Sequence, residues 1–407
     1  MQQNFNTVKI PTLNKFSILL FLLFIPSILL AAPAALPELP QPTEIIPAPP
    51  ALQAKTYLLI DPMSNYVITE QDPDRRVEPA SLTKMMTVYV ADQALKSGKL
   101  KLTDLVRVSE TAWKAAGSRM FIEVNTLVSV QDLLSGVIIQ SGNDASVALA
   151  EQLAGTESAF AELMNFYAKQ LGMANTHFVN ATGLPDPNHY SSARDMAILA
   201  KAIIREFPET YKIYAQKEFT FKGIKQTNRN LLLWRNELVD GIKTGHTDSA
   251  GFCLVASGLK DGMRLIAVVM GTKSDSVRVD EANKLLSYGF RFYETRKLYP
   301  AGTPLKKTRI WMGKEKEIQL GLAEDLYVTL GHGQSNRLTA VINIDKVIKA
   351  PTPQGTVLGT LTVELENKTI IERPIVALNE VPPAGFFNRI YDSLALTVHS
   401  LIGKIIK

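Results

Sequence analysis

From Pro79 to Ala94 the chain repeats apolar residues at helical spacing: Leu82, Met85, Met86, Tyr89, Val90 and Ala94 follow one another in steps that fit one helix face. A proline just ahead of such a run is a helix-start signal, so the spacing predicts a helix with Ser81 in or near its first turn. Residues three apart on a helix share a face, about 5–6 Å from one another. Ser81 and Lys84 are therefore predicted hydrogen-bond partners. A serine hydroxyl attacks well only when a base takes its proton, and a desolvated lysine can be that base. The helix N-terminus adds backbone N–H groups, that of Ser81 among them, which can hold an oxyanion. Taken alone, Ser-x-x-Lys is usually an N-cap followed by a solvated lysine. The remainder of the chain decides between the two.

Lys55–Ile60 and Tyr66–Thr69 read as strands around the turn Asp61-Pro62-Met63-Ser64, hence a hairpin. A second helical stretch through Leu133, Leu134, Val137 and Ile138 breaks at Gln140-Ser141-Gly142-Asn143, and helical spacing resumes from Ala145 through Leu149 to Leu153. Glycine between two helices marks a tight connection. Such a turn presents Ser141 and Asn143 as polar groups at the end of an apolar bundle; the alternative is an interhelix turn in which Asn143 caps the next helix. Ser192-Ala193-Arg194-Asp195 has capping-box spacing and opens a structural helix through Met196, Leu199 and Ile203. Val239 to Thr247 precedes two strands, Phe252–Ala256 and Leu265–Met270, and the three predict an antiparallel sheet whose first strand ends in Lys243-Thr244-Gly245. Gly245 allows another backbone or a ligand to come close to the strand. Lys243 and Thr244 can offer a charge and a hydroxyl to an anionic group, although Lys-Thr-Gly by itself is also a common strand-to-turn exit.

At ~100–200 residues per domain, a 407-residue chain predicts two or three domains. Met1 to Lys15 carries two lysines and no acid, and Phe16 to Leu30 is apolar apart from Ser17, Pro26 and Ser27. That run is short for a spanning helix, which needs ~20 residues. With Ala32-Pro33-Ala34 as a cleavage site, residues 1–34 read as a secretory signal peptide. Without Lys9 and Lys15, 42 basic residues face 39 acidic ones, a net charge of +3, too mild for a nucleic-acid partner. Cys253 is the sole cysteine, so no intrachain disulfide can form, and a buried small hydrophobe is expected there. The histidines at 177, 189, 246, 332 and 399 show no metal-ligand spacing, and no phosphate-cradling glycine loop is present; neither metal nor cofactor is expected.

Residues 35–52 carry Pro37, Pro40, Pro42, Pro47, Pro49 and Pro50 and read as an extended linker. From about Tyr299 short runs alternate at period two, as in 326–330, 360–365 and 370–376, and predict a small all-β domain over 299–381. After Pro382-Pro383, Phe387, Ile390, Tyr391, Leu394, Val398, Leu401 and Ile405 fall on one helical face. Asp392 and His399 interrupt the tail too closely for it to span a bilayer, and Arg389, Lys404 and Lys407 suit anionic lipid. Residues 382–407 therefore read as a helix lying in a membrane surface, the alternative being a helix docked on its own β-domain.

Ser81-x-x-Lys84, Ser141-Gly142-Asn143 and Lys243-Thr244-Gly245, in that order, resemble the motif set of the penicillin-recognising serine acyl-transferases. The longer stretches 78–85, 140–145, 190–196 and 240–247 resemble the low-molecular-mass penicillin-binding proteins, the D-alanyl-D-alanine carboxypeptidases of the bacterial periplasm, and the likeness runs from roughly Ala54 to the C-terminus. The resemblance implies an α+β chain: a transpeptidase/β-lactamase-like catalytic domain over 53–298, built of an antiparallel sheet and a helical subdomain, then the β-rich domain and the amphipathic helix. It implies Ser81 as acylated nucleophile and Lys84 as its base, with Ser141 and Asn143 completing a proton relay and a substrate amide contact. Lys243 and Thr244 would hold the terminal carboxylate of D-Ala-D-Ala, with Gly245 and His246 on the same strand edge and the oxyanion between the N–H groups of Ser81 and His246. Arg278 either assists the carboxylate or forms a surface salt bridge, and Arg229 carries the same two readings; the loop at Gly117–Met120 resembles the family's mobile segment near the site.

The implied reaction removes the terminal D-alanine from peptidoglycan stem peptides through an acyl-enzyme, in an exported protein held at the periplasmic face of the inner membrane, and β-lactams would acylate Ser81 by the same route. Cross-link endopeptidase action shares the acyl step, and a weakly active β-lactam-binding protein would carry the same motifs. A β-lactamase would need a dedicated deacylating base in a separate loop, for which no motif stands out.

Overall fold

Strands from the two ends of the first domain meet in one sheet. The computed structural model describes residues 46–405, with side chains to residue 398, so the signal-peptide reading of 1–34 and the start of the linker lie outside the described residues. The predicted hairpin is present as β1 (Thr56–Asp61) and β2 (Tyr66–Gln71). A 3-10 turn, Ala80–Thr83, leads into α1 (Lys84–Lys96). The helical subdomain follows, with the short strands β3 (Leu105–Arg107) and β4 (Leu127–Ser129) on either side of α2 (Glu110–Trp113). It continues through α3 (Val130–Ser135), a π turn at Gly136–Gln140, α4 (Asn143–Ala154), α5 (Glu157–Leu171), α6 (Ala193–Glu206) and α7 (Pro208–Tyr214). Ser192 caps α6 as its sequence predicts, accepting from the Asp195 N–H at 3.2 Å. A hairpin, β5 (Glu218–Phe221) and β6 (Ile224–Thr227), and the turn helix α8 (Leu232–Arg235) return the chain to the sheet. β7 (Val239–Thr247), β8 (Gly251–Lys260), β9 (Met263–Thr272) and α9 (Asp275–Phe292) complete the domain.

The sheet runs β2-β1-β9-β8-β7 with all pairs antiparallel, so β7 is an edge strand. Successive side chains of a strand point to opposite faces, and here both faces are covered. Leu58, Val255 and Val268 face the helical subdomain and pack with Met85 and Met86 of α1, whereas Leu59, Leu254 and Val269 face α9. Every residue of α1 from Lys84 to Asp92 is buried, which makes it a central helix rather than an amphipathic surface one. The linker reading of 35–52 is corrected at its end: Ile46 and Leu52 pack against the α9 core, and the Tyr288 hydroxyl donates to Pro47 O at 2.8 Å. Proline keeps the chain extended, and an extended chain can lie along a surface.

The second domain starts earlier than the change of pattern near Tyr299 suggests. α9 runs directly into β10 (Tyr293–Tyr299), followed by β11 (Pro304–Trp311), β12 (Glu317–Gly321), β13 (Leu326–Gly331), β14 (Leu338–Ile344), β15 (Ile348–Lys349), β16 (Val357–Leu365) and β17 (Lys368–Ala377). β10 pairs with β13, and the other strands form a six-stranded sheet. The polar run Glu294-Thr295-Arg296-Lys297 hides β10 behind the end of a helix in the sequence. Asp61 fastens the two domains: its Oδ2 accepts from Thr329 Oγ1 at 2.8 Å and from Thr295 Oγ1, and Ser64 Oγ lies 2.6 Å from Thr329 Oγ1. The chain ends in α10 (Phe386–Ile405). Asp392 is buried against the β-domain and accepts from the Met312 N–H at 2.7 Å, while Phe387 (84% exposed), Tyr391, Leu394 and Val398 face outward. Docking and an uncovered apolar face thus occur in one helix. Among the described residues no helix is long and apolar enough to cross a membrane.

Candidate active site

The turn that carries Ser81 is tighter than the predicted first α-helical turn. Ala80 has φ +47° and Ala80–Thr83 is 3-10, so α proper begins only at Lys84. In a 3-10 turn residues i and i+3 eclipse, which sets Ser81 and Lys84 side by side. Lys84 Nζ lies 3.0 Å from Ser81 Oγ and donates to Thr182 O at 2.6 Å. Burial, with the positive charge of Arg229 next, brings the Lys84 amine down to about 7, against the opposing carboxylates Asp144 and Glu157. A neutral amine has the lone pair that a serine proton needs.

Ser141 and Asn143 come from the break after the π turn. Ser141 has φ +66°, in the left-handed region, and its Oγ lies 3.0 Å from Lys243 Nζ. Asn143 does not cap α4; Gly142 occupies that position and Asn143 is the first helical residue. The Asn143 N–H donates to Ser118 O at 2.7 Å and its side-chain amide donates to Ala116 O. Its Oδ1 is buried with no partner among the described residues, an acceptor suited to a substrate N–H. Asp144, fully buried, accepts from the N–H groups of Met120, Phe121 and Ile122 at 3.0, 3.0 and 3.3 Å and so fastens the loop beside Asn143.

Lys-Thr-Gly lies within edge strand β7, which continues to Thr247 rather than ending at Gly245. A Cβ on Gly245 would sit 2.8 Å from Pro79 O and 3.1 Å from Ser81 N. The close approach expected at this glycine is therefore made by the backbone of the nucleophile turn. Lys243 Nζ donates to Ser141 Oγ and, at 2.9 Å, to Thr244 O. Its amine is held well below the ordinary value by burial and then by Lys84, Arg229 and Arg278. The His246 ring stacks on Phe252 with centroids 3.9 Å apart.

Arg278 is not a surface salt bridge. It is buried, donates to Gly245 O at 2.9 Å and to Cys253 O at 3.3 Å, and pairs with Asp275, bracing the strand at the third motif. Arg229 Nε donates to Gln140 O at 2.9 Å beside the Ser141 turn. Cys253 is buried on β8 opposite Gly245, where burial pushes its thiol up to about 11. Thr182 and the clamping role of Asp144 were not anticipated, because main-chain acceptors and loop clamps leave no motif, whereas Ser118 lies in the loop that the sequence placed near the site. His189, whose Nε2 lies 2.7 Å from Thr83 Oγ1, is the histidine that packs beneath the nucleophile turn.

A part-buried Ser81 beside a fully buried Lys84, facing the edge strand of such a sheet with a polar interhelix turn between them, defines a serine enzyme of the penicillin-binding fold. Residues 43–274 match the family described as D-alanyl-D-alanine carboxypeptidase, and residues 293–383 match the C-terminal domain of penicillin-binding protein 5. The chain belongs to the D-alanyl-D-alanine carboxypeptidase family. D-alanyl-D-alanine carboxypeptidase DacA of Escherichia coli (strain K12) is 46% identical over 368 residues, 88% of this chain and 91% of that protein. The crystal structure of penicillin binding protein 5 from Haemophilus influenzae superposes with a TM-score of 0.79 at 46% identity, covering 82% of this chain and 99% of that one. Penicillin-Binding Protein D2 from Listeria monocytogenes in its ampicillin-bound form matches at 29% identity and a TM-score of 0.55, over 59% of this chain and 98% of that one.

Proposed function

We propose that the chain is a serine-type D-Ala-D-Ala carboxypeptidase that takes terminal D-alanine from peptidoglycan stem peptides through an acyl-enzyme on Ser81. The observation that carries this reading is the 3.0 Å contact between Ser81 Oγ and a Lys84 amine brought to about 7. Ser81 Oγ attacks the penultimate D-Ala carbonyl as Lys84 takes its proton. The N–H groups of Ser81 and His246 receive the oxyanion, and Asn143 Oδ1 accepts from the amide on the acyl side of the substrate. Ser141, hydrogen-bonded to Lys243, relays the proton held by Lys84 to the departing D-Ala amine, which leaves Lys84 neutral and Ser141 a hydroxyl again. Lys243 and Thr244 hold the terminal carboxylate, and Arg278 acts through its hold on Gly245 O. Water then attacks the ester with Lys84 again as base, returning the serine hydroxyl and releasing the shortened peptide. β-Lactams acylate Ser81 by the same first step, a reading supported by the ampicillin-bound relative. The exposed apolar face of α10 supports attachment to a membrane surface, in a protein exported to the periplasmic face of the inner membrane.

The test is D-alanine release from a pentapeptide ending in D-Ala-D-Ala, with wild type beside Ser81→Ala. Release by wild type that vanishes in the variant is expected. No release by wild type, with a labelled penicillin still bound covalently at Ser81, would overturn the carboxypeptidase assignment.

A further inference from the structure

Phe121 has φ +68°, in the left-handed region that bulky side chains rarely adopt. Its neighbours Met120 and Ile122 are buried, whereas Phe121 itself is 50% exposed. The conformation is imposed from several sides. Asp144 takes the three consecutive N–H groups of 120–122, Gln226 Nε2 donates to Met120 O at 3.0 Å, and Lys222 pairs with Glu123 at 3.2 Å. A residue persists in so unfavourable a conformation only where its surroundings over-determine it, and such residues gather at ligand clamps. Here the clamp throws one aromatic ring outward.

The loop that carries the ring lies beside the site. Ala116 O and Ser118 O both accept from Asn143, and a Cβ on Gly117 would lie 2.6 Å from Asn143 Nδ2. The loop therefore borders the site at Asn143, the residue that meets the acyl portion of the substrate, and its Ser118 Oγ also donates to Ser141 O at 2.5 Å. The β5–β6 hairpin, tied to this loop by Gln226 and Lys222, adds Ile224 at 42% exposure. We propose that Phe121 determines specificity on the acyl side: its ring receives the apolar chain that precedes the scissile D-Ala-D-Ala, and equally the acyl substituent of a penicillin. The proposal rests on the acyl-enzyme reading given above.

The experiment uses the full chain and compares acylation by benzylpenicillin, which has an apolar acyl substituent, with acylation by 6-aminopenicillanic acid, which has none. Phe121→Ala and Phe121→Gly are expected to slow benzylpenicillin roughly 10-fold, the scale of one lost apolar pocket contact, and to leave 6-aminopenicillanic acid within about 2-fold of wild type. Phe121→Gly is further expected to melt no lower than wild type, because glycine takes the left-handed conformation without strain. Equal slowing of both compounds, or slowing of neither, would overturn the proposal while leaving Ser81 as the nucleophile. A wild type acylated by neither compound would overturn the acyl-enzyme reading itself.

Discussion

Asp92 provides a quantitative test of how the core behind the nucleophile is built. It lies on α1, is 1% exposed, and accepts one hydrogen bond, from Thr210 Oγ1 at 2.7 Å. Its Oδ2 and the Tyr214 hydroxyl are both buried with no partner among the described residues. Burial pushes the Asp92 carboxyl from 3.8 up to about 7. The folded protein thus holds a proton that the unfolded chain releases. The associated stability is fully present below about pH 3.8 and is lost progressively as pH rises toward 7. At about 1.4 kcal/mol per pH unit the whole loss is roughly 4 kcal/mol. Asp92→Asn keeps the acceptor for Thr210, removes the ionisation, and offers a donor where the second oxygen has none. The variant should match wild type near pH 4 and exceed it by up to ~4 kcal/mol near pH 8, which at ~2–4 °C per kcal/mol is a rise in Tm of roughly 8 °C or more. Circular-dichroism melts of the full chain across that pH range measure the difference. A gap that does not change with pH, or a variant less stable than wild type near pH 8, would refute the reasoning.

The acylation rate with a penicillin should rise with pH through a midpoint near 7 as Lys84 loses its proton. Arg229→Gln removes a charge that lowers the Lys84 amine, so the midpoint should move to higher pH; a midpoint that stays put or falls rules out that coupling. Gly245→Ala places a Cβ against Pro79 O and the Ser81 N–H and should cost roughly 100-fold in kcat/KM, the scale of an ångström-sized misplacement; wild-type activity in that variant would show that the strand and the turn are not held together as described. Deleting residues 386–407 should release the protein from washed membranes, and retention of the truncated chain would remove α10 as the anchor.

The three motifs were legible because each couples a chemical group to a local pattern. Ser81 and Lys84 precede a periodic apolar run, Ser141 and Asn143 sit in a break between two such runs, and Lys243 lies in a strand. The role of Gly245 was also legible in kind, since only a close approach demands glycine within a strand. What approaches it was not, because Pro79 and Gly245 meet only through the fold. Asp144 stands beside Asn143 in the sequence, yet its hold on residues 120–122 depends on a loop arriving from elsewhere. Arg278 carried two readings in the sequence, an aid to the carboxylate or a surface salt bridge, and its burial removes the second. β10 and the packed end of the linker were missed because polar residues and prolines mask an extended chain that finds its partner far away in the sequence.

The pairing of β1 with β9, from Thr56 opposite Met270 to Ile60 opposite Ile266, has a kinetic consequence. The hairpin at the start of the domain can form early, but its inner edge has no partner until the chain has been made through β9. Closing so long a loop costs entropy before any contact repays it, and folds dominated by such pairings are slow. β7 reaches β1 only through β8 and β9. The nucleophile turn therefore meets its facing strand only when nearly the whole domain has been synthesised. A chain stopped short of Thr272 should be inert, and a growing chain cannot begin cutting peptides before its own first domain is finished.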